Sequence, residues 1–361
     1  MTQDALIRRV AYSVLCSLFV IWSFACLTAP AQAGLIGVPD YDFDWAVIGD
    51  PGNAPYDGRF NPPHSRPLVA TGRGSVDYSY RISKLEITTG QWLEFVNAFA
   101  PRSANPNFFL KPAIWGARST FTPGVYELNP FISNAAQLPV LSINWREAAM
   151  YANWLHNDKS LEMSAITNGA YDTSTFGEKF DAQGRLVGFT DQRTHNPDAK
   201  FWIPTLDEWM KAAHWDPSRF GPGDGGWWQY SHSSDEPPVG GPPGVGEANT
   251  GFILPEGAEF EIPLGSYPNV QSPWGLLDTA GGGAEWVEEV FPIGDGRMHT
   301  GTSIGSLQPE TRIFDAVWAF NVLDPNIAAG QSLRIASSAP APNVLSALFI
   351  STLACTARRY R

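Results

Sequence analysis

SPWGLLDTAGGGAEW, residues 272–286, sets three consecutive glycines, Gly281 to Gly283, between two acids, Asp278 and Glu285. Trp274, Leu276 and Leu277 come just before and Trp286 just after, so the stretch is too apolar for a flexible linker. Residues without a Cβ belong where a chain turns sharply or where another segment comes close. The stretch reads as a fixed turn in an aromatic interior, with a carboxylate on each flank.

Working outward, caps and apolar stripes mark three helices. Thr205-Leu206-Asp207-Glu208 is a capping box, in which hydroxyl and carboxylate satisfy free amides reciprocally, and Trp209, Ala212 and Ala213 follow on one face. Asn144 caps a second helix whose inner stripe is Trp145, Ala148, Ala149, Ala152 and Leu155. Trp92, Phe95, Val96 and Phe99 recur at helical spacing, which predicts an amphipathic helix over Thr89 to Ala100. Alternation predicts strands at Tyr78 to Ile82 and at Leu85 to Thr88. A further strand near Trp45 to Ile48 opens an irregular lead-in, residues 34–76.

The remaining stretches read as connections. Pro101 ends the first helix, and the chain to Gln137 is loop-like. Asp158 to Lys200 reads as turns and a hairpin carrying little chemistry. Gly221 to Gly246 is rich in Gly and Pro around Trp227, Trp228 and Tyr230, which serve either as lids over a loop-rich core or as an exposed stacking platform. Few clean strands, three short helices and no internal repeat make this an irregular α+β domain.

Both ends read as addresses. Arg8 and Arg9, an apolar run from Val10 to Leu27 and Ala31-Gln32-Ala33 form a signal peptide over residues 1–33, with a retained anchor as the alternative. At the other end, residues 339–361, Ala339-Pro-Ala-Pro342 precedes an apolar segment, Val344 to Ala357, and the terminal Arg358-Arg359-Tyr360-Arg361. That apolar segment is short of the roughly 20 residues a span needs. The tail resembles a PEP-CTERM sorting signal, with Pro-Ala-Pro where that family has Pro-Glu-Pro; a plain membrane anchor is the alternative. The resemblance implies an exported, cell-envelope protein, transient membrane contact through the tail and an exosortase-like processing partner.

Charge and cysteine narrow the function. The ends hold Asp4 and five of the arginines, so residues 34–339 carry 35 acids against 19 lysines and arginines, a net charge of −16. Such a surface repels phosphate backbones and attracts cations, which excludes nucleic acid as a partner. Cys16, Cys26 and Cys355 all lie in the ends. The exported domain therefore has no disulfide, no thiolate metal site and no thiol nucleophile.

Five separated stretches, in order, resemble the sulfatase-modifying-factor family, whose best-known member is the formylglycine-generating enzyme. They are Tyr80 to Trp92 (YRISKLEITTGQW), Pro139 to Ala148 (PVLSINWREA), Ile203 to Trp209 (IPTLDEW), Gly265-Ser-Tyr-Pro268 with Ser272 to Trp286, and Gly301-Thr-Ser303 with Leu333 to Ser337 (LRIAS). The resemblance covers residues 77–338 and implies a C-type-lectin-like α+β fold. It also implies a structural calcium ion held by side-chain oxygens of Asp278 and Glu285 and backbone carbonyls of Gly281 and Gly283. Calcium suits such a set, taking about six to eight oxygens at flexible angles. The chain departs from the family at Gly282 and Ala284, where Asn and Trp are usual. A turn without its ion, with Glu285 capping amides, is the alternative. A second calcium site implied by the family falls on Asn249 and Thr250, against the plainer reading of a turn asparagine.

The family's oxidase carries a Cys-x4-Cys pair that binds Cu(I), a soft ion that favours thiolates. Counted from Gly301, those positions fall near Ser306 and Thr311, so no copper is expected and no catalytic residue is assigned. His64, His156, His195, His214, His232 and His299 match no iron-binding spacing and read as surface or packing residues. Gly301-Thr-Ser-Ile-Gly305 matches the letters of a nucleophile elbow, but the polar, glycine-rich residues before it do not read as the buried strand an elbow requires. The favoured reading is an envelope binding or structural module for a glycan or peptide. The alternative is an enzyme of the same family with a cysteine-independent oxidative activity.

Overall fold

The computed structural model describes residues 38–62, 70–102, 116–252, 254–304 and 315–339. Residues 1–33, read as a signal peptide, and residues 340–361 of the expected sorting tail lie outside them. Residues 39–339 form one compact unit built around two four-stranded sheets. The first sheet has the order β1 (Trp45–Ile48), β2 (Tyr80–Ser83), β8 (Ala336–Ser338), β3 (Phe201–Trp202), all antiparallel. The second has the order β6 (Asn321–Leu323), β5 (Arg297–Thr300), β4 (Ala284–Val290), β7 (Gln331–Ser332), with β4 and β7 parallel.

Three helices carry capping boxes: α3 (Leu206–His214) with Thr205 and Glu208, as read from the sequence, α2 (Trp145–His156) with Glu147 joining the expected cap Asn144, and α1 (Thr89–Phe99) with Thr88 and Gln91, a box the sequence reading did not include. Each N-cap contributes about 1 kcal/mol by satisfying an amide the helix cannot. α1 and α2 pack through rings, Trp92 and Phe95 each 5.4 Å from Tyr151. α3 lies between the sheets. Ala212 joins Ile48, Tyr80 and Ile82 on one side, while Leu206, Trp209 and Met210 meet Val287 and Met298 on the other. That wedge aims the start of α3 and the far end of β4 at the same patch of surface.

Several segments differ from their sequence reading. Leu85 to Thr88 is not a strand: Ile87 gives its amide to Leu333 and its carbonyl to Val140, one rung to each of two partners rather than a ladder. The stretch after Pro101 is not all loop, since Ala117–Ser119 and Tyr126–Leu128 pair as a hairpin. Trp227 and Tyr230 are buried, 2% and 6% exposed, so they are lids and not an open stacking platform.

Candidate functional site

The glycine turn is tight for a steric reason. Gly281 and Gly282 have φ of 79° and 72°, in the left-handed region, and Asp278 shares it at 51°. A Cβ on Gly281 would sit 2.8 Å from the Asn249 backbone, one on Gly282 2.9 Å from Glu86 Oε2, and one on Gly283 2.3 Å from Ser332 Cβ. Three distant segments thus converge on the three glycines. Gly283 N donates to Glu86 Oε1 at 2.9 Å, and Ile304 N donates to Gly282 O at 2.7 Å.

The two flanking acids have different fates. Glu285 accepts from Arg334 Nε at 2.9 Å on each oxygen, and from Trp209 Nε1 at 2.8 Å. Arg334 is fully buried, and its other nitrogens donate to the carbonyls of Ser83, Lys84 and Leu277. The Arg334 guanidinium therefore gives Glu285 a buried counter-charge. Asp278 lies on the other side of the turn and accepts from Gly265 N at 2.6 Å. Burial pushes its carboxyl above the usual carboxylate range. Glu86 is raised much further, by burial and then by the Glu285 carboxylate, and its Oε2 has no hydrogen-bond partner. Glu86 was missed in the sequence; its only signal is an acid in the otherwise apolar run before α1.

Asn249 and Thr250 lie beside the turn, Asn249 bridging to Gly281. Asn249 Nδ2 donates to Glu259 O at 2.9 Å, which fixes the amide's orientation and leaves Oδ1 buried and unpartnered. Thr250 Oγ1 is likewise buried without a partner. Each such orphan costs about 1–3 kcal/mol if nothing fills it. Asn249, Asp278, Gly282 and Tyr267 line one small cavity of about 10 Å³. Among the described residues no group of three or more His, Cys, Asp or Glu is placed to hold a metal, so any ion here would rest on mixed oxygen donors.

A larger cleft of about 480 Å³ opens where α3 begins and β4 ends, lined by Asp77, Tyr78, Arg193, Asp207, Glu288 and Glu289 among others. Asp207 accepts from Arg73 Nε at 2.8 Å and from Gly74 N at 2.6 Å. Glu289 accepts from the same Arg73 and from Leu206 N at the start of α3, yet burial outweighs both and pushes its carboxyl up to about 7. Glu288 Oε1 accepts from Tyr171 Oη at 2.8 Å and His195 N at 2.6 Å, and it meets His195 Nδ1 at 2.8 Å. The His195 ring stacks on Trp202 at 4.7 Å. Burial alone would lower the imidazole's pKa, but the bond and charge of Glu288 overcome it and the net shift is upward. The stretch from Asp158 to Lys200 was read as carrying little chemistry, yet it supplies this histidine and Arg193. The cleft can bind polar groups and hold a proton near neutral pH.

Residues 51–318 match the sulfatase-modifying factor enzyme 1-like domain. The chain belongs to this family. No curated protein matches the sequence. Among solved structures, the crystal structure of CarF is 19% identical, covering 83% of this chain and all of that one, with a TM-score of 0.45. Variable protein 1 of Treponema denticola is 16% identical over 82% of this chain and 95% of its own, with a TM-score of 0.45. PvdO from Pseudomonas aeruginosa is 15% identical, covers 81% of this chain and 100% of its own, and has a TM-score of 0.40. The match to the sulfatase-modifying-factor domain begins at residue 51, inside the segment read as a lead-in, and its fold is a mixed α+β single domain. Gly301 to Ser303 follow β5, which is buried along its length although Arg297, His299 and Thr300 are polar, so a buried strand precedes them where none was expected. Thr302 donates through N and Oγ1 to Asp315, each at 2.8 Å. Ser306 and Thr311, near which the family's cysteine positions are expected, lie outside the described residues.

Proposed function

We propose that the chain is an exported binding or structural module of the cell envelope, built on the sulfatase-modifying-factor fold without its oxidase chemistry. The absence of cysteine carries this reading: Cys16, Cys26 and Cys355 all fall outside residues 51–318. A hydroxyl at the positions of Ser306 and Thr311 is a hard donor that neither holds Cu(I) nor forms a mixed disulfide. The ligand is a glycan or peptide of the envelope, and its site is the cleft at the start of α3, a concavity with convergent polar groups and a carboxyl shifted toward neutrality. A calcium ion serves the fold, and an exosortase-type enzyme processes the tail after a transient stay in the membrane.

The test is direct. The processed protein, incubated with a sulfatase-type cysteine peptide with and without copper, should form no aldehyde. Aldehyde above the protein-free control overturns the reading. A glycan and peptide array then identifies the ligand.

A further inference from the structure

The cleft at the start of α3 is lopsided in charge. Four acids, Asp77, Asp207, Glu288 and Glu289, line it against one arginine, Arg193, whose Nη1 donates to Asp295, outside the lining, at 3.0 Å. Two of the acids are answered by Arg73, which donates to both Asp207 and Glu289. The other two keep acceptors to spare. Glu288 is 1% exposed, and Tyr171 Oη, the His195 amide and the His195 ring all meet its Oε1. Among the described residues no hydrogen bond reaches its Oε2. A carboxylate oxygen so buried is costly to leave without a donor. Asp77 is exposed, and no hydrogen bond or ion pair among the described residues reaches it; it feels only the charge of Lys211, whose Nζ is held by the carbonyls of Asp50 and Val76. Val76 and Val290 add apolar surface to the same lining. Tyr78 is the only ring among the lining residues, with its hydroxyl given to Glu208 Oε1 at 3.0 Å, so a neutral sugar finds little to stack on. An anion meets like charge.

We infer that this cleft takes a primary alkylammonium group, with Glu288 Oε2 and Asp77 as its acceptors and the valines along its stem. This rests on the cleft being the ligand site, as proposed above, and names the chemistry it recognises. An ammonium is a compact charge with three donors on a flexible apolar stem, which suits oxygens contributed singly by separate residues beside aliphatic surface. A guanidinium's planar fork asks instead for a whole carboxylate edge, and Arg73 already takes that of Asp207. A lysine of an envelope peptide and a free polyamine both carry the group.

Calorimetric titration of the processed protein with N-acetylated trilysine amide, and then with spermidine, tests this. Asp77→Asn and Glu288→Gln should each weaken trilysine at least fivefold. Asp224→Asn, which removes the same charge at an exposed position outside the cleft, should weaken it less than twofold. Triarginine should bind at least fivefold more weakly, and trilysine with acetylated side chains should not bind. Spermidine as tight as trilysine assigns the free amine and weaker spermidine assigns a peptide lysine; either supports the ammonium site. Equal losses for all three variants would reduce binding to the overall negative charge and overturn the proposal, and triarginine as tight as trilysine would overturn the choice of ammonium. Should trilysine fail while a ligand from the glycan and peptide array is weakened by Asp77→Asn, the cleft stands as the site and its ammonium chemistry falls. Should neither respond to Asp77→Asn, both fall. If Glu288→Gln does not fold, the exposed Asp77→Asn decides, with Asp224→Asn as its reference.

Discussion

The two ends of β4 put carboxylates to opposite uses. At its start, Glu285 is sealed between Arg334 and Trp209, and every contact it makes is internal. At its far end, Glu288 and Glu289 reach the wall of an open cleft, and Asp207 and Glu289 share one arginine, Arg73. The sealed end explains why the motif around the glycines marks the fold. The open end, beyond Trp286 where the quoted glycine motif stops, is where a ligand has room. Recognisable sequence and binding chemistry therefore sit at different places on one strand.

The sharpest way to break this contrast is Arg334→Met, which leaves Glu285 charged and unpaired in the interior. Losing one partner of a buried pair costs about 3–5 kcal/mol, to be read from denaturant unfolding. A loss below 1 kcal/mol would mean the inner end is no more structural than the outer. Next comes Gly283→Ala, whose methyl would meet Ser332 Cβ at 2.3 Å. Overpacking of that kind costs about 1–3 kcal/mol, and the same assay should show it.

A third probe uses pH. His214 is fully buried, and burial lowers its pKa to about 3 against a smaller opposing contribution from the Trp228 backbone. The unfolded chain takes up the proton near pH 6.5 and the folded one does not. The stability this group contributes is thus whole above pH 6.5 and is lost as pH falls toward 3. His214→Phe should remove up to about 1.4 kcal/mol per pH unit from the acid slope between those limits, measured as melting temperature against pH. An unchanged slope would place the acid sensitivity elsewhere. The smallest effect belongs to the cleft wall. Asp77 is exposed there, so Asp77→Asn should move stability by less than about 0.5 kcal/mol while weakening the ligand found on the array.

What was legible in the sequence was local. Caps and helical stripes depend on residues three or four apart, and the three longer helices follow from them, whereas the single turn of helix at Ser164–Thr167 does not. The glycine turn was also legible as a close approach, though not what approached it. Glu86 and Gly283 are 197 residues apart, and Arg334 and Glu285 are 49 apart. No local pattern records either pairing, so the arginine that neutralises Glu285 is not legible from the residues around it. The cleft was harder still, because Asp77, Arg193, Asp207 and Glu289 come from four segments with nothing in common but the place where they meet.

The last strand of the domain has a consequence in time. β8 lies between β2 and β3, with Ala336 opposite both Ile82 and Trp202. Until residues 336–338 exist, the first sheet is two separate pieces whose facing edges have nothing to join them. A chain made or threaded from its N-terminus cannot close its core early, because the keystone arrives last. Contacts of such long sequence separation form slowly. Nascent chains stopped before Ala336 should therefore remain protease-sensitive, and resistance should appear only as the final strand becomes free to insert.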